Sequence, residues 1–85
     1  MASYELVVRP SVRKDVRSIP PKDLQRILER MESLRDDPRP PNCVKLSGQE
    51  AYRIRQGNHR IVYEIEDAQR MIIVAKVGHR REIYR

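Results

Sequence analysis

Between Tyr52 and Val77 the chain repeats apolar residues with a period close to two. Tyr52 and Ile54 fall on one side of an extended segment, Arg53 and Arg55 on the other. Gly57-Asn58 then suits a tight hairpin turn. On the return strand Ile61, Tyr63 and Ile65 restore the apolar side, with Arg60, Val62 and Glu64 opposite. Asp67-Ala68-Gln69-Arg70 turns the chain again. Met71 to Val77 is a nearly continuous apolar run, the mark of a central strand covered on both faces. Gly78 is expected to end that strand, leaving a basic tail from His79 to Arg85. This half can fold only as a sheet with one apolar face and one face carrying arginines.

The first half supplies what covers the apolar face. Tyr4 to Val8 reads as an opening strand that Pro10 ends. Ser11 can cap a short helix running to about Ser18, with Val12, Val16 and Ile19 on one side. Pro20-Pro21 breaks it and starts the next helix. From Lys22 to about Arg35 the apolar positions are Leu24, Ile27, Leu28, Met31 and Leu34, an amphipathic spacing. Asp37 to Asn42 holds three prolines and reads as a loop, and Val44-Lys45-Leu46 as a short strand. The expected architecture is α+β: a β-α-α-β-β-β order in which a two-helix hairpin covers one face of a twisted, mainly antiparallel sheet. The expected organisation is one domain over residues 1–85.

Composition narrows the partners. A chain of 85 residues buries only roughly 60% of its unfolded surface. The net charge of +6 attracts polyanions, which places nucleic acid first. No apolar stretch approaches the ~20 residues of a membrane span. Cys43 is the only cysteine, so no intrachain disulfide can form, which fits a cytoplasmic protein. His59 and His79 are the only histidines, and no ligand cluster has metal spacing. No cofactor is expected.

The motifs carry a resemblance. Leu46-Ser47-Gly48, Tyr52-Arg53-Ile54-Arg55, Gly57-Asn58-His59-Arg60-Ile61-Val62-Tyr63 and Val77-Gly78-His79-Arg80-Arg81-Glu82-Ile83-Tyr84 stand in the order and spacing of the RelE/ParE superfamily. Its members are toxins of toxin–antitoxin pairs, and the resemblance covers essentially the whole chain. In the RelE-like branch it implies a ribosome-dependent endoribonuclease that cuts mRNA in the aminoacyl site without a metal. RNA brings its own nucleophile, the 2′-hydroxyl. The protein must orient the backbone, neutralise the growing charge and move two protons.

Residue by residue, the resemblance puts Arg60 on the scissile phosphate, which a guanidinium can grip with two donors. Arg80, or Arg81 in a register shifted by one, would stand at the leaving 5′-oxygen. Tyr84 would stack on a base or assist proton removal. His79 sits where many members carry lysine, and its intrinsic pKa near 7 suits a general acid or base. Arg53 and Arg55 match positions that hold the message backbone, and Lys76 adds charge beside them. The plain structural alternative for Arg60 is an ion pair with Glu64 on the same face. Tyr52 and Tyr63 read as packing residues.

Two other functions fit the same sequence. One is a ParE-like poison of DNA gyrase; the other is a non-catalytic module that binds nucleic acid or the ribosome. Either toxin reading implies a cognate antitoxin as hetero-oligomeric partner. Contact with DNA would then come only indirectly, through the antitoxin.

Overall fold

The computed structural model describes residues 4–46, 48 and 50–79. Its elements are β1 (Glu5–Val8), α1 (Val12–Val16), α2 (Pro21–Ser33), β2 (Val44–Lys45), β3 (Ala51–Gln56), β4 (His59–Glu66) and β5 (Met71–His79). The strands form one sheet in the order β1-β5-β4-β3-β2. All neighbours are antiparallel except β1, which runs parallel to β5. The α+β arrangement expected from the periodicities is therefore present, with the last strand at the joint of the sheet and both helices on one face. Gly78 does not end β5, which continues through His79. No helix among the described residues is long and apolar enough to cross a membrane.

The core lies between the helices and the helix-side face of the sheet. Ile27, Met31 and Leu34 from the second helical segment meet Ile54, Ile61, Tyr63, Ile72, Val74 and Val77, all under 2% exposed. Tyr52 and Tyr63 are cross-strand partners whose rings stack with centroids 5.9 Å apart, so both pack as expected. Pro21 occupies the first turn of α2, where its missing N–H costs nothing, and the Pro20 carbonyl accepts from Leu24 N–H at 2.9 Å. Ser11 departs from expectation. Its side chain makes no capping hydrogen bond; α1 is entered instead through turns in which Arg9 and Pro10 carbonyls accept from Val12 and Arg13 N–H. Leu28 also departs, at 51% exposed. It lies at the margin of the apolar stripe and lines an apolar groove of about 210 Å³ with Val8, Val12, Val16, Leu24 and Met31.

One irregularity sets which way residues 76–79 face. Val62 pairs with Lys76 but Tyr63 pairs with Val74, so Ala75 is an extra residue in β5. Ile72 and Val74 face the core before the bulge, and Val77 faces it afterwards. An unbroken alternation would have buried Lys76. The bulge instead turns Lys76 and Gly78 to the side away from the helices. Here β1 has already ended: Arg9 N–H makes its last contact, to the Val74 carbonyl. Asp15 of α1 takes over the exposed edge, its Oδ2 accepting from Val77 N–H at 3.0 Å.

The proline-rich loop between α2 and β2 is fixed along its length. Tyr63 donates its hydroxyl to the Pro38 carbonyl at 2.7 Å. Arg39 donates to Tyr52 Oη at 3.1 Å and to Asp67 Oδ2 at 2.9 Å, and its guanidinium lies 5.2 Å from the Tyr52 ring centre. Asp67 also accepts from the Tyr4 hydroxyl at 2.7 Å. Arg39, then Tyr4, holds the Asp67 carboxyl below its usual pKa. Cys43 N–H closes a turn onto the Pro40 carbonyl at 3.0 Å, with the half-buried Cys43 packed against the core.

Candidate nucleic-acid interface

The side of the sheet away from the helices carries two cross-strand rows. Arg55, Arg60 and Gly78 are successive partners across β3, β4 and β5. Val44, Arg53, Val62 and Lys76 form the next row, beginning on β2. The hairpin that aligns them turns at Gly57, whose φ of +62° a side chain would disfavour. With Asn58 outside the positive-φ region, this is the pattern of a type II′ turn, which matches strand twist.

Arg53, Arg55 and Arg60 line one groove of about 270 Å³ with Asn42 and Val44. Arg60 is only 3% exposed, whereas Arg55 is exposed and Arg53 half-buried. A guanidinium shielded from water acts more strongly on an anion than one free in solvent. Gly78, directly opposite Arg60, brings no side chain to compete for the space. Glu64 does not take the role of an ion-pair partner set out for it above. It accepts from Arg9 Nη2 at 3.0 Å, near the other end of the face.

The remaining candidates are placed unevenly. Lys76 shares the arginine face, and its Nζ stands 3.8 Å from Asp15 Oδ1. His79 does not join Arg60. The bulge at Ala75 puts it in phase with Val77, on the helix side, where it meets its cross-strand partner His59 edge to face, centroids 5.9 Å apart. Arg80, Arg81 and Tyr84 lie outside the described residues. Tyr63 is excluded from base chemistry near neutral pH, because burial pushes its phenol well above the usual tyrosine range. Among the described residues no three groups of metal-ligating type cluster.

Two groove residues escaped the sequence reading. Asn42 was part of a loop and Val44 part of a short strand, and nothing in their local pattern pairs them with arginines further along the chain. Val44 is brought to Arg53 by the β2–β3 pairing and remains 46% exposed. Asp15 was equally silent; its partner is a backbone N–H 62 residues away.

Known proteins match this arrangement. Residues 6–84 fit the family described as the ParE toxin of the type II toxin–antitoxin system. A toxin of Methanocaldococcus jannaschii named RelE1 is 30% identical over 86 residues, covering 96% of each chain. Among solved structures, the archaeal RelE–RelB complex from Pyrococcus horikoshii contains a chain 25% identical, with a TM-score of 0.79 over 92% of this chain and 96% of that one. The RelBE2 toxin–antitoxin complex from Mycobacterium tuberculosis matches with a TM-score of 0.80 at 23% identity, over 92% and 99%. The chain belongs to the RelE/ParE superfamily of toxins of type II toxin–antitoxin systems.

Proposed function

We propose that this toxin is a ribosome-dependent mRNA endoribonuclease of the cytoplasm, held in check by a cognate antitoxin. The observation that carries the reading is the groove shared by Arg53, Arg55 and Arg60, with Arg60 nearly buried in it. Three cations on one face of a sheet suit a backbone phosphate with charge to neutralise. In the reaction the message's 2′-hydroxyl gives up its proton and its oxygen attacks the adjacent phosphorus. The bond to the 5′-oxygen breaks, that oxygen takes a proton, and a 2′,3′-cyclic phosphate remains.

Arg60 stabilises the extra negative charge on the phosphoryl oxygens at the transition state. Arg53 and Arg55 bind the flanking backbone and, as guanidinium groups, stay protonated. Lys76 extends the cationic row. Proton transfer and the charge at the leaving oxygen fall to the segment carrying Arg80, Arg81 and Tyr84. His79, packed on His59 on the helix side of the sheet, stands away from the arginine groove. Relatives solved with RelB partners support an antitoxin for this chain as well.

In a purified translation reaction, primer extension should reveal cuts within codons held in the aminoacyl site. They should be absent without ribosomes. Arg60→Ala should lower the cutting rate about 10²–10³-fold, the usual loss for one transition-state donor. Intact message with wild-type protein would overturn the nuclease reading. The matching family model is that of ParE, which favours a gyrase-directed alternative. A supercoiling assay separates the two.

A further inference from the structure

Two residues lining the arginine groove bring chemistry other than cationic charge. Asn42 presents a neutral carboxamide there, and Val44 an isopropyl group 46% exposed to solvent. Both residues are rigidly displayed. Asn42 sits in the turn closed by Cys43 N–H onto the Pro40 carbonyl, after Pro41, whose ring fixes φ at the preceding position. The loop before it is tied down through Pro38 and Arg39. Val44 is locked by its pairing with Arg53. A pre-ordered wall binds with little further loss of conformational freedom.

A flat heteroaromatic base attached to a phosphate has both chemistries that the groove offers. An asparagine carboxamide donates and accepts at once, the pattern that reads base edges bidentately. A branched aliphatic surface packs against a base or its sugar. The volume, about 270 Å³, lies just below the roughly 300–1,000 Å³ of drug-sized pockets, so the site has room for one nucleotide rather than a duplex.

We infer that Asn42 and Val44 form a base-reading wall, so that the groove takes a single unpaired nucleotide with its phosphate toward the arginines and its base toward Asn42. The inference rests on the reading of this groove as a nucleic-acid phosphate site. It makes these two residues determinants of which nucleotide is preferred next to the phosphate that Arg60 holds.

The test is a titration of the isotope-labelled protein, followed by NMR, with ribose 5-phosphate and the four nucleoside 5′-monophosphates at one salt concentration. At least one nucleotide should bind about fivefold or more tighter than ribose 5-phosphate, the low end of what one bidentate base contact supplies. Asn42→Ala should compress the spread among the four bases to within about twofold. Val44→Thr, which keeps the branched shape, should weaken every nucleotide while leaving ribose 5-phosphate unchanged. Arg60→Ala should weaken all five ligands. Equal affinity for ribose 5-phosphate and every nucleotide overturns the wall, and so does a base spread that survives Asn42→Ala. The translation assay keeps the two readings apart. Cuts that require Arg60 but keep the same sites in Asn42→Ala and Val44→Thr would overturn the wall and leave the nuclease standing. A base-dependent binding ladder without cutting would support the wall and remove the nuclease.

Discussion

Asp15→Ala tests the way the bulged strand is held. Among the described residues no strand stands beside the outer edge of β5 beyond Val74, and Asp15 supplies the acceptor that β1 no longer provides. The bond to Val77 N–H is 3.0 Å, and the carboxylate side chain is only 19% exposed. Hydrogen bonds to charged groups contribute roughly 1.5–3 kcal/mol. The contact to Lys76 Nζ, at 3.8 Å and half in solvent, adds no more than a few tenths of a kcal/mol. Asp15→Ala should therefore cost about 2 kcal/mol, read as a lower urea midpoint with an unchanged slope. For a domain this small that corresponds to a fall in Tm of about 8–15 °C. Asp15→Asn keeps an acceptor oxygen for the N–H and should recover more than half of the loss. Hydrogen exchange at the Val77 amide should accelerate in the alanine variant and stay slow in the asparagine one. A cost below about 0.5 kcal/mol, or equal losses in both variants, would show that the carboxylate does not hold the strand.

Three further outcomes follow from local geometry. Asp67 has its pKa lowered first by Arg39 and then by Tyr4, so its contribution is present above the unfolded carboxyl pKa and is lost as pH falls through the folded value. Asp67→Asn should therefore flatten the acid limb of the urea-midpoint profile below about pH 4; an unchanged limb would refute this. Tyr63→Phe removes the donor to the Pro38 carbonyl and should cost about 1–2 kcal/mol, while an ultraviolet titration of the folded wild type should show Tyr63, raised by burial, and Tyr4, raised by its hydrogen bond to Asp67, deprotonating above the usual range. Gly57→Ala meets nothing within 4 Å, so only its φ of +62° opposes it; equilibrium unfolding should give a loss of about 1 kcal/mol or more.

The sequence exposed most of what is periodic and little of what is not. The stripe from Leu24 to Leu34 and the alternation through β3 and β4 follow from local geometry, so α2, the hairpin and the shared face of Arg53, Arg55 and Arg60 were legible. Leu28 was misplaced because a stripe has margins, and tertiary contacts decide which margin is covered. The apolar run of β5 hid the bulge. The strand is covered by helices on one face only, with Ile73 half-buried and Lys76 exposed on the other, so the expected two-sided cover is absent; in so apolar a run a one-residue change of phase leaves only the wider step from Val74 to Val77 as a trace. That same step decides the side on which His79 emerges. Asn42, Val44 and Asp15 could not be read at all. Each acts through a partner brought near by strand pairing or helix packing, which no local pattern encodes.

The sheet order has a kinetic consequence. Among the described residues β5 follows every other strand in sequence, yet it lies between β1, the first of them, and β4. The register Glu5 to Met71 closes a loop that spans most of the sequence, and α1 packs on the same late strand. Local pairing can form the β3–β4 hairpin early, but among the described residues β1 has no strand to pair with until β5 has been made. Such long-range closure slows folding relative to helical proteins of equal size. On the ribosome, the arginine face gains its β5 side only after residues 71–79 have been made. A chain interrupted before Met71 carries Arg53, Arg55 and Arg60 without the strand that completes their sheet.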